Sequence, residues 1–102
     1  MRIELLLQEA IRRQEELPWE CSLFIRSSDS LSPDAEVIII SDDENENDLE
    51  KKGYRYLFGI SDLQDVITNL RGQIDAADED LCIEALKYYA ENDAFINFVP
   101  NR

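Results

Sequence analysis

The sequence predicts a single α+β domain in which about three helices pack on a small antiparallel or mixed sheet. Three observations carry this reading. A chain of 102 residues suits one hydrophobic core. Apolar residues recur at helical spacing in three stretches and at strand spacing, or in β-branched runs, between them. The two kinds of segment do not alternate with the regularity that a doubly wound α/β fold demands.

Taken in order, Ile3, Leu6, Leu7, Ala10 and Ile11 form an apolar stripe at helical period, with Arg2, Glu9, Arg12, Arg13 and Glu16 mainly off it. Pro18 stops such a helix, so the first helix is expected over residues 2–16. Cys21, Leu23 and Ile25 alternate with Glu20, Ser22 and Phe24, the pattern of a strand with one buried face, and Phe24 implies partial cover on the other. Residues 27–34, rich in Ser and Asp and containing Pro33, read as a loop. The run Val37–Ile40 is a second strand, apolar on both faces and so central. Residues 42–50 are expected to be a solvated acidic loop. Tyr54, Tyr56 and Phe58 alternate with Arg55 and Leu57 as a third strand that ends at Gly59.

Ser61 with Gln64 three positions later reads as a capping box, and Ile60 as its hydrophobic staple. Leu63, Val66, Ile67 and Leu70 then mark a second helix ending near Arg71 and Gly72. Asp78 is the expected cap of a third helix carrying Leu81, Cys82, Ala85, Leu86 and Tyr89, broken at Asn92 and Asp93. A last short strand is expected over Ala94–Val99. The core expected from these elements is Leu6, Leu7, Ile11, Leu23, Ile25, Ile38, Ile40, Val66, Ile67, Leu70, Leu81, Ala85, Leu86 and Tyr89.

Charge excludes several functions. There are 23 acidic and 10 basic residues and no His, for a formal charge of −13. An imidazole-based triad and any His-ligated metal are excluded. Nucleic-acid binding through a generally basic surface is disfavoured, because the average field repels phosphate. With 44% apolar residues the chain is nonetheless expected to fold. No apolar run approaches the ~18 residues of a membrane span, and acids interrupt the N-terminal stretch, so a cytoplasmic protein with no signal peptide is expected. Cys21 and Cys82 sit in apolar patterns and match no zinc or redox motif; two buried thiols are expected, with a disulfide not excluded by sequence.

The run Asp42, Asp43, Glu44, Glu46, Asp48 and Glu50 is the most unusual feature. Its bland reading is a solubilising loop; its functional reading is docking to a basic protein. Asp43, Asn45 and Asn47 match the start of an EF-hand calcium loop, but Asp48 stands where the turn glycine belongs and Tyr54 where the bidentate Glu is needed, so no metal site is expected. A second acidic group, Asp75, Asp78, Glu79 and Asp80, is accounted for by helix capping, and would extend the negative surface only if the fold brought it close. Trp19 reads first as a lid on the core; if exposed beside the acidic run, Trp19, Tyr54 and Tyr56 become interface anchors. No carboxylate pair lies in an apolar cleft pattern, no base activates a tyrosine, and Gly53, Gly59 and Gly72 are too dispersed to cradle phosphate. Neither an enzyme nor a cofactor is expected.

The segment Ala85-Leu86-Lys87-Tyr88-Tyr89, followed by Asp93-Ala94-Phe95-Ile96, resembles part of the small acidic immunity proteins of bacterial contact-dependent growth inhibition systems. The resemblance covers about the last third of the chain and transfers no residue role. It implies a cytoplasmic protein that binds and blocks a cognate toxin domain, commonly a nuclease with a basic cleft. An acidic inhibitor steered to such a cleft would explain charge, size and absent motifs together. The alternative is an acidic adaptor or regulatory module for another basic protein. A homodimer is also open, since a sheet edge such as Ala94–Val99 needs protection.

Overall fold

The computed structural model describes residues 2–41 and 46–97. The elements run β1 (Arg2–Leu6), α1 (Leu7–Arg12), a 3-10 turn (Gln14–Glu16), β2 (Ser22–Arg26), β3 (Glu36–Ile40), α2 (Glu46–Lys51), β4 (Tyr54–Gly59), α3 (Ile60–Gln73) and α4 (Glu79–Asn92). The four strands form one antiparallel sheet in the order β1-β3-β2-β4. The α+β architecture is therefore as expected; among the described residues there is one more helix than the pattern announced, and β1 is a strand it did not announce.

The principal core lies between one sheet face and the layer of α1, α3 and α4. Leu23, Ile25, Val37, Ile39 and Phe58 meet Leu7, Ile11, Leu63, Ile67, Leu70 and Leu86 there, all buried. The opposite face carries a smaller cluster of Phe24, Ile38, Ile40 and Leu49, with Tyr54 packed against it. This is why β2 and β3 read as apolar on both faces: each is central and covered on both sides. Of the expected core residues, Ile38 and Ile40 are buried in the smaller cluster on the opposite sheet face and not with the others, Leu81 and Tyr89 are half-buried against the principal core, and Leu6 is half-buried.

Several elements differ from expectation for identifiable reasons. Residues 2–6 are a strand, not the first turns of a helix: Arg2↔Ile40 through Leu6↔Glu36 pair β1 with β3, and the helix begins only at Leu7. Over five residues, Ile3, Leu5 and Leu7 satisfy an alternating pattern as well as Ile3, Leu6 and Leu7 satisfy a helical one, and ladder hydrogen bonds along β3 decide it. Leu7, Ala10 and Ile11 remain the buried side of the short helix. The cap of α3 is two residues earlier than Ser61. Gly59 is the N-cap, and its N–H donates to Asp62 Oδ2 (3.0 Å), while Ser61 lies inside the helix. Gln64 instead donates through Nε2 to the carbonyls of Gln14 (2.7 Å) and Leu17 (3.1 Å), tying the 3-10 turn to α3. The cap of α4 is as expected: Asp78 Oδ1 accepts from the Leu81 N–H at 2.9 Å. The helix ends at Asp93, whose φ of 53° is left-handed, a conformation Asp tolerates better than most residues.

No strand forms over residues 94–97, and residues 98 and 99 lie outside the described residues. This segment folds back on the helices. Phe95 stacks on Tyr89 with ring centroids 5.7 Å apart, and the Ile96 carbonyl accepts from Gln73 Nε2 at 2.8 Å. Cys21 and Cys82 are buried thiols with no disulfide between them, and burial pushes the Cys82 pKa up. Among the described residues no helix is long and apolar enough to cross a membrane.

A candidate protein-binding face

The register fixes where the acidic run sits. Ile40 pairs with Ser22, and Ser22 with Gly59, so β3 ends at the same end of the sheet as the start of β2 and the end of β4. Trp19 belongs to this end too, three residues before Ser22, with its carbonyl accepting from the Ser61 N–H at 3.2 Å. From here the chain enters the acidic run. Asp42, Asp43 and Glu44 lie outside the described residues.

The second half of the run is a helix rather than a loop. Glu46 opens α2, and Asp48 and Glu50 lie on it, both exposed. Leu49, between them, is fully buried against Phe24, Ile38 and Ile40. One apolar residue among six acids therefore decides the conformation: inserting Leu49 turns one side of a helical turn to the sheet and sends its neighbours to solvent. Lys51 and Lys52 close the helix at its C-terminal end, where cations are favoured. The chain then turns through Gly53, whose φ of +92° suits glycine and whose carbonyl accepts from the Ser27 N–H at 2.7 Å.

That turn delivers β4 alongside α2. Tyr54 and Tyr56 pair with Arg26 and Phe24, so they share the sheet face on which α2 lies. Tyr54 is half-buried and held: Arg26 Nη2 donates to its hydroxyl at 3.3 Å, and the guanidinium carbon stands 5.3 Å from its ring centroid. The same guanidinium pairs with Glu36 at 2.7 Å, a hydrogen-bonded partner that raises the Arg26 pKa. Tyr56 is 52% exposed and meets Phe24 edge-on at 5.7 Å. Trp19 is 67% exposed, so it is no lid on the core. Its neighbours Leu17 and Cys21 are the buried residues of that connection.

The structure thus brings Asp48, Glu50, Tyr54 and Tyr56 together on one face, with Trp19 at the sheet end from which the acidic run departs. It does not join the two acidic groups. Asp78 caps α4, and Glu79 accepts from Arg12 at 2.5 Å, both on the helical layer, so the sheet separates them from α2. The Arg26–Glu36–Tyr54 cluster was missed in sequence; its signal was the opposite charges at the two mouths of the β2–β3 connection. Among the described residues no group of His, Cys, Asp or Glu converges to hold a metal ion. What this arrangement offers chemically is an electrostatic and aromatic surface: solvated carboxylates for attraction at a distance, and a tyrosine ring for contact.

Residues 4–98 match the model of a protein family described as Domain of unknown function (DUF7716). No curated protein and no solved structure matches the chain.

Proposed function

The chain belongs to the DUF7716 family, and from that starting point we propose that it is an immunity protein, which binds a cognate toxin in the cytoplasm of the producing cell and blocks it. The toxin would be a nuclease with a basic cleft. The observation that carries this reading is the acidic helix α2, pinned by Leu49 beside Tyr54 and Tyr56 on one sheet face. A nuclease cleft built to hold phosphate attracts such a helix through the same field that attracts its substrate. The net charge of −13 extends that attraction beyond contact range. No catalytic group is needed on the inhibitor, since occupying the cleft suffices.

Two measurements test it. The chain is co-expressed with the toxin domain encoded beside its own gene, and survival is scored; protection is the expected result. Association is then followed by stopped flow for the wild type and for a variant with Asp42, Asp43, Glu44, Glu46, Asp48 and Glu50 changed to Asn or Gln. The expected result is a rate lowered by about tenfold or more in dilute salt, with the difference shrinking as salt is added. A variant that associates at the wild-type rate at every salt concentration overturns docking through this segment. Binding without protection would assign the face to an adaptor for a basic protein instead.

A further inference from the structure

A groove runs along β4 between the strand and the C-terminal half of α4. Its first half is lined by Arg55 and Lys87, with Glu91 as the single carboxylate, and its second by Asp62 and Asp93. Leu57 and Ala90 line both halves, so the two depressions adjoin across an apolar boundary. Its polarity follows the strand: Arg55 is the second residue of β4, and Asp62 lies three residues beyond the strand's end. In a chain of charge −13 a net positive half-groove is out of keeping with the rest of the surface. Neither Arg55 nor Lys87 makes an ion pair with a described residue. Two of the most exposed large apolar side chains are also here. Tyr56 lines the acidic half, and Phe95, 46% exposed, stacks on Tyr89 above it. Finally, β4 is the terminal strand of the sheet on this side, where association between chains is common.

A uniformly acidic or uniformly basic partner would be repelled by one half of this groove. A second copy of the chain, turned about a two-fold axis across β4, matches both halves at once, because the axis reverses the strand and sets each positive half against a negative one. We propose that the chain forms a homodimer of this kind, Arg55 and Lys87 of each copy facing Asp62 and Asp93 of the other, with the apolar centre and the two rings closing against their counterparts. The opposing net charges are spread over the surface and largely screened beyond about 8 Å at 0.15 M salt, whereas pairs in contact are not. This surface shares the Tyr56 ring with the face beside α2 but none of the α2 carboxylates, and the proposal does not depend on the immunity reading.

The isologous geometry gives a complementation test. By sedimentation equilibrium near physiological salt, at tens to hundreds of micromolar, the wild type is expected to be dimeric. Lys87→Glu and Asp93→Lys, each verified as folded by circular dichroism, are each expected to be monomeric. Mixed in equal amounts they restore both contacts in the heterodimer, Glu to Lys at one end and Lys to Asp at the other, and the dimer is expected to return. If Asp93→Lys does not fold in its left-handed position, Asp93→Asn keeps that backbone and is expected to weaken the dimer by about tenfold. The proposal is overturned by a wild type that stays monomeric throughout, by Lys87→Glu associating as tightly as the wild type, or by a mixture of folded variants that remains monomeric.

Discussion

Leu49 is the residue on which the acidic face depends, and Leu49→Ala measures that dependence. Of the α2 side chains described it alone is buried, at 0% exposure, against Phe24, Ile38 and Ile40. The substitution removes three carbons, each worth about 0.8 kcal/mol on burial, so transfer alone predicts a loss of about 2–3 kcal/mol. A cavity term adds little here, because a six-residue helix held by one side chain can settle or lift rather than leave a void. For a domain of this size the melting temperature should fall by about 10–20 °C. Circular dichroism in urea is the appropriate probe. The single tryptophan is already 67% exposed when folded, so its fluorescence reports unfolding poorly. Amide exchange adds location: protection should drop over 46–51 and at Phe24 and Ile38 before it drops in α3 and α4. A change below about 0.5 kcal/mol with unaltered exchange would refute the reasoning, since α2 would then be held by something other than Leu49.

The remaining predictions concern one hydroxyl and two glycines. Tyr89 donates to Asp62 Oδ1 at 2.9 Å, and this bond above all, with burial and the Asp62 charge, pushes its pKa up to about 12. The folded state therefore holds the proton more tightly than the unfolded one. The stability this contributes is intact below pH 10 and is lost as pH rises through about 12. Tyrosinate absorbance should show one of the four tyrosines titrating late, and Asp62→Asn should bring it back towards the ordinary range. The two glycines should respond with opposite signs in urea midpoints. Gly53→Ala meets no atom within 4 Å, but its φ of +92° makes the cost one of backbone alone, about 1 kcal/mol. Gly72→Ala, within α3 and equally uncrowded, should stabilise by about 0.5–1 kcal/mol.

What was legible in the sequence follows from length and repetition. α3 and α4 have fourteen residues each, enough for an apolar stripe to repeat, and they were read to within a turn. The Val37–Ile40 run and the Cys21–Ile25 alternation mark the two central strands although each strand has only five residues, because β-branched and aromatic side chains favour extended backbone. In the leucine-rich β1, of the same length, the periods coincide, and its residues fit helix and strand alike. α2 was hidden more completely, because one buried leucine among carboxylates has no repeat to show. Its burial depends on partners in β2 and β3 that only the folded sheet brings near. At the candidate site the acids and tyrosines were legible as residue types, and their sharing of one face was not. The exposure of Trp19 depends on which neighbours fill the core beneath it, information carried by Leu17 and Cys21 rather than by the tryptophan.

The ladder between β2 and β4 slips by one residue between Leu23 and Phe24, so that Phe58 opposes Leu23 while Tyr56 opposes Phe24. Two rings that a regular strand would put side by side are thereby sent to opposite layers, one to meet Tyr89 and the other to meet Phe24. Leu57 acts as a spacer that resets the phase of the strand halfway along it. Exchanging it for another aliphatic residue leaves both rings where they are. Deleting it would leave a regular ladder in which Tyr56 still opposes Phe24 and Phe58 still opposes Leu23, and as adjacent residues the two rings would keep their opposite layers. The arrangement is lost only if Leu57 is kept and paired, for then Tyr56 and Phe58 fall on one face. A gap at this point in a relative's sequence would therefore mark the loss of a bulge and not a rewiring of which aromatic faces which layer.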